Sequence, residues 1–309
     1  MSPTPGARSR RIGVLCIAGS AASFALLPVL AKVAYAHGIA PFALLALRFG
    51  IAASLLWAVT GFWAARGRVT WPSQDLVLVL TALGGVVLSG EVILYFLSLE
   101  RIGVGLAEVL LFLYPVWVVV IATVLLRQPQ SRLVVACSGT AVLGAALTVG
   151  GIGGGGADLT GVLLAVGASM GFAAYVVISG RLVRRAGSLL TTTLVTTGAA
   201  VTFIALAVGT GSVGPNDGPG WASIVAMAVV GTVVAFGFLS AGLARLPAAD
   251  ASVISTVEPA VAIVLGAALL GEGVGLLQLL GVALVLGSVA VLLRRATESE
   301  VLDPVVGHE

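Results

Sequence analysis

Apolar stretches of about 20 residues fill most of this chain, and they constrain its fold more than any other feature. The hydrocarbon core of a bilayer is about 30 Å thick, so a crossing helix needs roughly 20 mainly apolar residues. The stretches lack strict two-residue alternation, which favours helices over the strands of a membrane barrel. We predict ten spans, at about 12–35, 41–62, 76–99, 104–126, 133–150, 160–181, 187–209, 221–243, 248–270 and 274–293.

The composition supports this interpretation and excludes several classes of protein. Hydrophobic residues make up 59% of the chain and charged residues 9%, whereas soluble domains average about 25% charged residues. The net charge of +3 does not indicate nucleic-acid binding, because its placement follows the ends of the spans. Both cysteines lie inside predicted spans without clustered histidines, so we expect no metal, redox centre or other cofactor.

The second half of the chain repeats the first. A displacement of about 144 residues brings Arg101 onto Arg245 and Pro115 onto Pro259. Each half contains five predicted spans, and an odd number inserts the second half in the opposite orientation. The sequence therefore predicts an all-α integral membrane protein with ten transmembrane helices in two inverted five-helix repeats. The predicted segments are an N-terminal arm (1–11), a first repeat (12–150), a Gly-rich external linker (151–159), a second repeat (160–294) and an acidic tail (295–309).

The distribution of basic residues predicts the orientation. If the N-terminus is cytoplasmic, only Lys32, Arg48 and Arg101 of the sixteen Lys and Arg residues fall away from the cytoplasmic side. Cytoplasmic loops of membrane proteins carry such an excess of positive charge. We therefore expect a multi-pass protein of the cell's inner or plasma membrane with both termini in the cytoplasm.

Glu91 is the clearest candidate for chemistry, because apolar residues flank it on both sides within the third span. Helical spacing places it on one face with Gly84, Tyr95 and Ser98. A charge inside the bilayer costs about 2.5–3.5 kcal/mol on insertion scales, so it needs a compensating role. Glu91 could titrate protons or contact a substrate, or it could form a structural ion pair with Arg48 or Lys32. The sequence leaves both interpretations open.

Four charged residues should lie at similar depth in the outward half of the first repeat: Lys32, Arg48, Glu91 and Glu108. Two cations and two anions in a region of low dielectric are expected to pair. Such a group could form an outer gate or a binding site for a zwitterion. It could equally be a purely structural contact.

A proline interrupts the middle of the fourth span and of the ninth, at Tyr114–Pro115 and at Glu258–Pro259. Proline removes a backbone donor, so both helices should kink at mid-membrane depth. Secondary transporters bind their cargo at interrupted helices between the repeats. Tyr114 and Glu258 are therefore candidates for substrate or proton contact, although Glu258 could instead cap a freed backbone group.

These residues also carry a family resemblance. Residues 95–100 (YFLSLE) with 113–115 (LYP), and residues 256–259 (TVEP) with 269–272 (LLGE), resemble the two repeats of the EamA family in the drug/metabolite transporter superfamily. Arg48 and Lys32 resemble the pattern of that family as well. The resemblance covers about residues 12–294. It implies an inner-membrane secondary transporter, often an exporter of amino acids or other small metabolites by alternating access, with protons as one option for the coupling ion.

Two other functions remain open at this point. The same scaffold could carry a sugar nucleotide or flip a lipid-linked substrate, although few basic residues face the expected cavity. A membrane sensor or enzyme is a weaker alternative, because no catalytic motif appears in the spans. The expected partners are a small-molecule substrate, the lipid bilayer and, as an option, protons, but no nucleic acid. Both a monomer and a homodimer fit the sequence.

Overall fold

A computed structural model describes residues 7–99, 101–102, 107, 110–127, 130–148, 158–261, 264 and 275–302. Every regular element in these ranges is a helix. Most of the predicted Gly-rich linker, the start of the predicted N-terminal arm and the end of the predicted tail lie outside the described residues, as does Glu108.

The helices are named here in chain order. They are α1 (Ala7–Phe24 and Leu27–Ala36), α2 (Pro41–Ala65), α3 (Gln74–Ala82, Leu83–Leu88 and Ser89–Leu99), α4 (Tyr114–Val120 and Ile121–Leu125), α5 (Arg132–Thr148), α6 (Leu159–Ala186), α7 (Ser188–Gly209), α8 (Gly218–Ala228, Val229–Val234 and Ala235–Leu243), α9 (Ala248–Ser255) and α10 (Leu276–Leu302).

Six helices in the described ranges are long and apolar enough to cross a membrane, namely α1, α2, α3, α6, α7 and α8. Shorter apolar helices lie in α4 (Tyr114–Leu125), α5 (Arg132–Gly144) and α10 (Leu279–Val291). The prediction of an all-helical, multi-span membrane protein is therefore confirmed. The count of ten spans stays a prediction.

Local interruptions break several of these helices. A turn at residues 25–26 divides α1, and Pro28 is the second residue of the segment that follows. Its counterpart α6 is continuous over 28 residues. In α3 and α8 the middle of the helix is a π-helical segment, Leu83–Leu88 and Val229–Val234. Each π turn adds a residue relative to an α-helical turn, so it changes which face the following side chains present.

Four glycine contacts reproduce the repeat in three dimensions. A Cβ added at Gly13 of α1 would lie 3.0 Å from the Cβ of Arg245, and one at Gly161 of α6 would lie 2.8 Å from that of Arg101. In the same way, Gly19 contacts Phe238 and Gly167 contacts Leu94. The equivalent contacted residues are 144 positions apart in the sequence, and the equivalent glycines are 148 positions apart. Thus α1 packs on α8 as α6 packs on α3.

The second helices of the two repeats run in opposite directions. Moving along α2, Gly50 lies against Ile204, Trp57 donates a 2.9 Å hydrogen bond to Thr197, and Thr60 lies 3.0 Å from Thr193. The partners on α7 therefore descend in number as α2 ascends. Repeats of inverted topology require such antiparallel pairing of equivalent helices.

The α3–α7 contact is close enough to exclude side chains. A Cβ at Gly84 would overlap the backbone carbonyl of Val195, and a Cβ at Gly198 would overlap that of Thr81. Gly84 therefore faces α7, whereas Glu91 packs against Gly171 of α6. The expected common face of Gly84 and Glu91 is wrong, because the π segment lies between them and rotates the helix.

Candidate functional site

Arg48 lies about two turns into α2, and its side chain donates hydrogen bonds to the second repeat. Its Nε donates a 2.8 Å hydrogen bond to Thr232 Oγ1, and its Nη2 donates a 2.9 Å bond to the Gly231 carbonyl. Both partners belong to the π segment of α8. The guanidinium also lies 4.9 Å from the ring centroid of Phe49. Two of its five N–H donors are used in these bonds, which fix its position between the repeats.

Glu91 lies on α3 close to this arginine. Arg48 is 9% exposed and Glu91 7%. The Arg48 guanidinium interacts electrostatically with the Glu91 carboxylate and with the Tyr35 phenol of α1. The backbone of Glu91 approaches Gly171, where a Cβ would lie 3.0 Å from the Cβ of Glu91. Two opposite charges are thus buried together where α2, α3 and α6 meet α8.

An aromatic cluster fills the space beside these charges. Phe236 of α8 packs edge-on against Phe24 at 5.1 Å and against Tyr175 at 6.0 Å. Phe172 packs against both Tyr175 and Tyr114. The ring centroids of Phe172 and Tyr114 lie 4.9 Å apart. The members of the cluster are Phe24, Phe49, Tyr114, Phe172, Tyr175, Phe203 and Phe236. The cluster joins helices from both repeats.

Tyr114 brings the two proline-containing regions together. Its hydroxyl donates a 3.2 Å hydrogen bond to the Ser252 carbonyl of α9, and it interacts electrostatically with Glu258. A turn at residues 112–113 precedes Pro115, and a turn at Thr256 precedes Pro259. Glu258 is partly exposed, whereas Tyr114 is buried. The helix interruptions of the two repeats therefore lie side by side.

The remaining predicted residues are placed less centrally. Tyr95 lies one turn beyond Glu91 and packs into a small cluster with Ile102, Ala107 and Ala165 between α3 and α6. Lys32 lies on the segment Leu27–Ala36, and its side chain is not among the described ones. Of the predicted residues, the structure thus brings together Arg48 with Glu91, and Tyr114 with Glu258.

Several residues of the site escaped sequence-based reasoning. Thr232 and Gly231 anchor Arg48, Tyr35 approaches it, and Phe236 occupies the centre of the aromatic cluster. The run VVGTVV at 229–234 does contain a glycine and a threonine in an apolar stretch. That signal is weak, because such residues are common in membrane helices.

Ion pairs between the repeats lie away from this centre. Three salt bridges join the first half of the chain to the second half: Arg10–Asp250 at 2.9 Å, Arg101–Asp158 at 3.1 Å, and His37–Asp217. Asp250 lies in the first turn of α9 and accepts a hydrogen bond from Arg10.

Two of these carboxylates have lowered pKa values for identifiable reasons. The hydrogen bond from Arg101 lowers the pKa of Asp158, and the Thr160 backbone N–H adds to this effect. The hydrogen bond from the Gly220 backbone N–H lowers the pKa of Asp217, with a further contribution from His37. Both carboxylates cap the helices that follow them, α6 and α8.

Within the described ranges, no group of three or more His, Cys, Asp or Glu side chains is arranged to hold a metal ion. The chemistry available at the site is that of a buried guanidinium with a buried carboxylate nearby, a carboxylate near a phenol and an aromatic surface. This set is suited to binding and releasing a small molecule.

The sequence profile of the EamA-like transporter family matches residues 11–150 and again residues 159–294. The chain belongs to the EamA-like transporter family. Two consecutive matches establish that this EamA-like transporter contains two repeats of the family's unit. It is a membrane transporter of the drug/metabolite type, and members of the family are transporters rather than enzymes.

Solved structures share the fold of this EamA-like transporter. One, described only as the crystal structure of a protein, superposes with a TM-score of 0.79 at 20% identity and covers 95% of this chain and 100% of its own. At that identity the similarity concerns the fold alone. A comparison with curated proteins gives no match.

Proposed function

We propose that this EamA-like transporter is an inner-membrane secondary transporter that exports amino acids or similar small metabolites by alternating access. The observation that supports this most directly is the buried Arg48–Glu91 pair beside an aromatic cluster shared by both repeats. In this proposal ten spans form two inverted repeats with both termini in the cytoplasm. Proton coupling and a homodimer remain predictions of the sequence.

The chemistry of the pair matches a zwitterion. Arg48 offers further N–H donors to a carboxylate, and Glu91 offers an acceptor to an ammonium group. A bound zwitterion would separate Arg48 from Glu91 and form one charge-assisted hydrogen bond with each of them. The aromatic cluster supplies an apolar surface for the rest of the molecule.

The positions of the ion pairs suit alternating access. Because Arg10–Asp250, Arg101–Asp158 and His37–Asp217 all join the two halves of the chain, relative movement of the halves breaks and re-forms them. Arg101–Asp158 and His37–Asp217 are exposed and screened by water, so they contribute little to stability, whereas Arg10–Asp250 is partly buried. They would therefore close the protein without preventing it from opening.

The cargo class can be tested by ligand-induced thermal stabilisation of the purified protein. We expect an amino acid to raise the unfolding temperature saturably, and the Glu91→Gln variant to respond more weakly. Stabilisation by a sugar nucleotide alone would instead favour the carrier of phosphorylated substrates and contradict this proposal.

Replacing Glu91 with Gln tests the role of the carboxylate. We expect E91Q to insert normally but to lose pH-dependent transport of the stabilising amino acid in proteoliposomes. Binding should weaken about tenfold or more, because a charge-assisted hydrogen bond contributes about 1.5–3 kcal/mol. Glu298→Gln, in the predicted tail, is the matched control. If E91Q retains the native transport rate and pH profile, the proposed coupling is wrong.

A further inference from the structure

A cavity of about 720 Å³ opens at the face where α6 ends and α9 begins. Its walls come from both repeats: Ala122 near the end of α4, the last turns of α6, and residues 246–249 at the start of α9. In the proposed topology this face is cytoplasmic. The cavity reaches inward to Val177, about 12 Å along α6 from Arg185 at 1.5 Å per residue.

Three arginines give this cavity a strong positive charge. Arg181, Arg184 and Arg185 line it and are exposed, and Gln130 lines it as well. None of the described residues that line it is acidic. None of the three arginines lies within salt-bridge distance of a carboxylate in the ranges that the structure describes. The positive charge of the three arginines is thus not neutralised by a salt bridge to a described carboxylate.

The general excess of positive charge on cytoplasmic faces explains the presence of arginines here, but not their arrangement. Arg184 and Arg185 occupy the last turn of α6, where they also interact favourably with the helix dipole. On the opposite wall, Pro247 precedes the first residue of α9, and no side chain caps that helix start. The helix start and the three arginines therefore line one open cavity.

From this arrangement we propose that the cavity is a binding site for a phosphate-type oxyanion. Guanidinium groups match the geometry of phosphate oxygens and bind them in pairs of hydrogen bonds. The apolar residues from α4 and α9 suit the remainder of such a molecule. The anion is either the headgroup of an acidic lipid or a soluble phosphate compound, and basic pockets between membrane helices bind such headgroups. This site is separate from the Arg48–Glu91 pair.

The test uses the full-length protein with two probes, inorganic phosphate in detergent and nanodiscs of phosphatidylglycerol compared with phosphatidylcholine. The readout is the unfolding temperature. We expect at least one probe to stabilise the native protein, with an effect that weakens as ionic strength rises. Stabilisation by phosphate indicates a soluble ligand, and stabilisation by phosphatidylglycerol alone indicates a lipid headgroup.

The variant combines Arg181→Gln, Arg184→Gln and Arg185→Gln. Its matched control combines Arg66→Gln, Arg68→Gln and Arg132→Gln, which remove the same charge from exposed positions outside the cavity. We expect the first variant to need at least about tenfold more of the effective probe and the control to respond like the native protein. The single variant Arg184→Gln gives the same comparison if the triple variant does not fold. Equal responses of both variants, or no response of the native protein to either probe, would overturn the proposal.

Discussion

Asp217 shows how one side chain at the edge of the protein serves two elements. Its carboxylate accepts a 2.9 Å hydrogen bond from the Gly220 backbone N–H, which caps α8. The same carboxylate pairs with His37 at the end of α1, and so connects the two repeats. Its pKa is lowered chiefly by the Gly220 bond.

We predict that Asp217→Asn lowers the unfolding temperature at neutral pH but not in acid. A carboxylate with a lowered folded-state pKa stabilises the protein above its unfolded value of about 3.9. That contribution is lost as the pH falls through the lower folded-state pKa. Thermal unfolding of both proteins across this range measures the effect, with Asp75→Asn as the control. A deficit that persists unchanged in acid would contradict this assignment.

At the residue scale, the sequence was sufficient to predict the buried charged residues of the site but not the residues that contact them. Arg48 and Glu91 were recognisable because a charge in an apolar stretch needs compensation. The hydrogen bond from Arg48 to Thr232 was not predictable, because it depends on how α2 packs against α8. Tyr95 shares the α6-facing side of α3 with Glu91, and its part in substrate or proton binding stays a prediction.

At the scale of elements, the contact between α3 and α7 depends on two glycines. Gly84 and Gly198 each face a backbone carbonyl that a Cβ would overlap. The spans themselves were predictable from hydropathy, because every crossing helix must be apolar. The π segments were not, since a window of apolar residues contains no signal for an inserted residue.

We predict that Gly84→Ala destabilises the protein by about 3 kcal/mol, the upper range for overpacking, because backbone cannot yield as a side chain can. Gly139→Ala in α5 is the matched control, since a Cβ there meets no atom within 4 Å. It should be neutral or stabilising by about 0.5–1 kcal/mol, because alanine favours helices over glycine. Reversible unfolding in denaturing detergent measures both. Equal stability of the two variants would refute the close α3–α7 contact.

At the scale of the whole molecule, the orientation of the repeats determines which ion pairs face which compartment. Antiparallel pairing of α2 with α7 implies that equivalent loops lie on opposite sides of the membrane. The loop after α2 should then be cytoplasmic and the loop after α7 external. The repeat itself was predictable from sequence, because Arg101 and Pro115 recur at a fixed offset.

Cysteine labelling in intact cells tests this orientation. In a variant without Cys16 and Cys137, we expect Val213→Cys to react with a membrane-impermeant maleimide from outside. Thr70→Cys should react only after the cells are permeabilised. Both positions are exposed, so accessibility of the side chain does not limit the reaction. Labelling of Thr70→Cys from outside and of Val213→Cys only after permeabilisation would show that the orientation is the opposite of the proposed one. Equal labelling of the two variants in intact cells would contradict the proposed orientation.

The break in α1 has a consequence for the other half of the transport cycle. By the correspondence of Gly13 with Gly161, the turn at residues 25–26 is equivalent to residues 173–174 of the uninterrupted α6. Two copies of one unit that hold different shapes can exchange them, and the exchange generates the conformation open to the other compartment. We expect α6 then to bend between Phe172 and Tyr175 while α1 straightens, a change that spin-label distances along α6 would register. The second repeat in the opposite-facing state is thus expected to adopt the shape that the first repeat has in this structure.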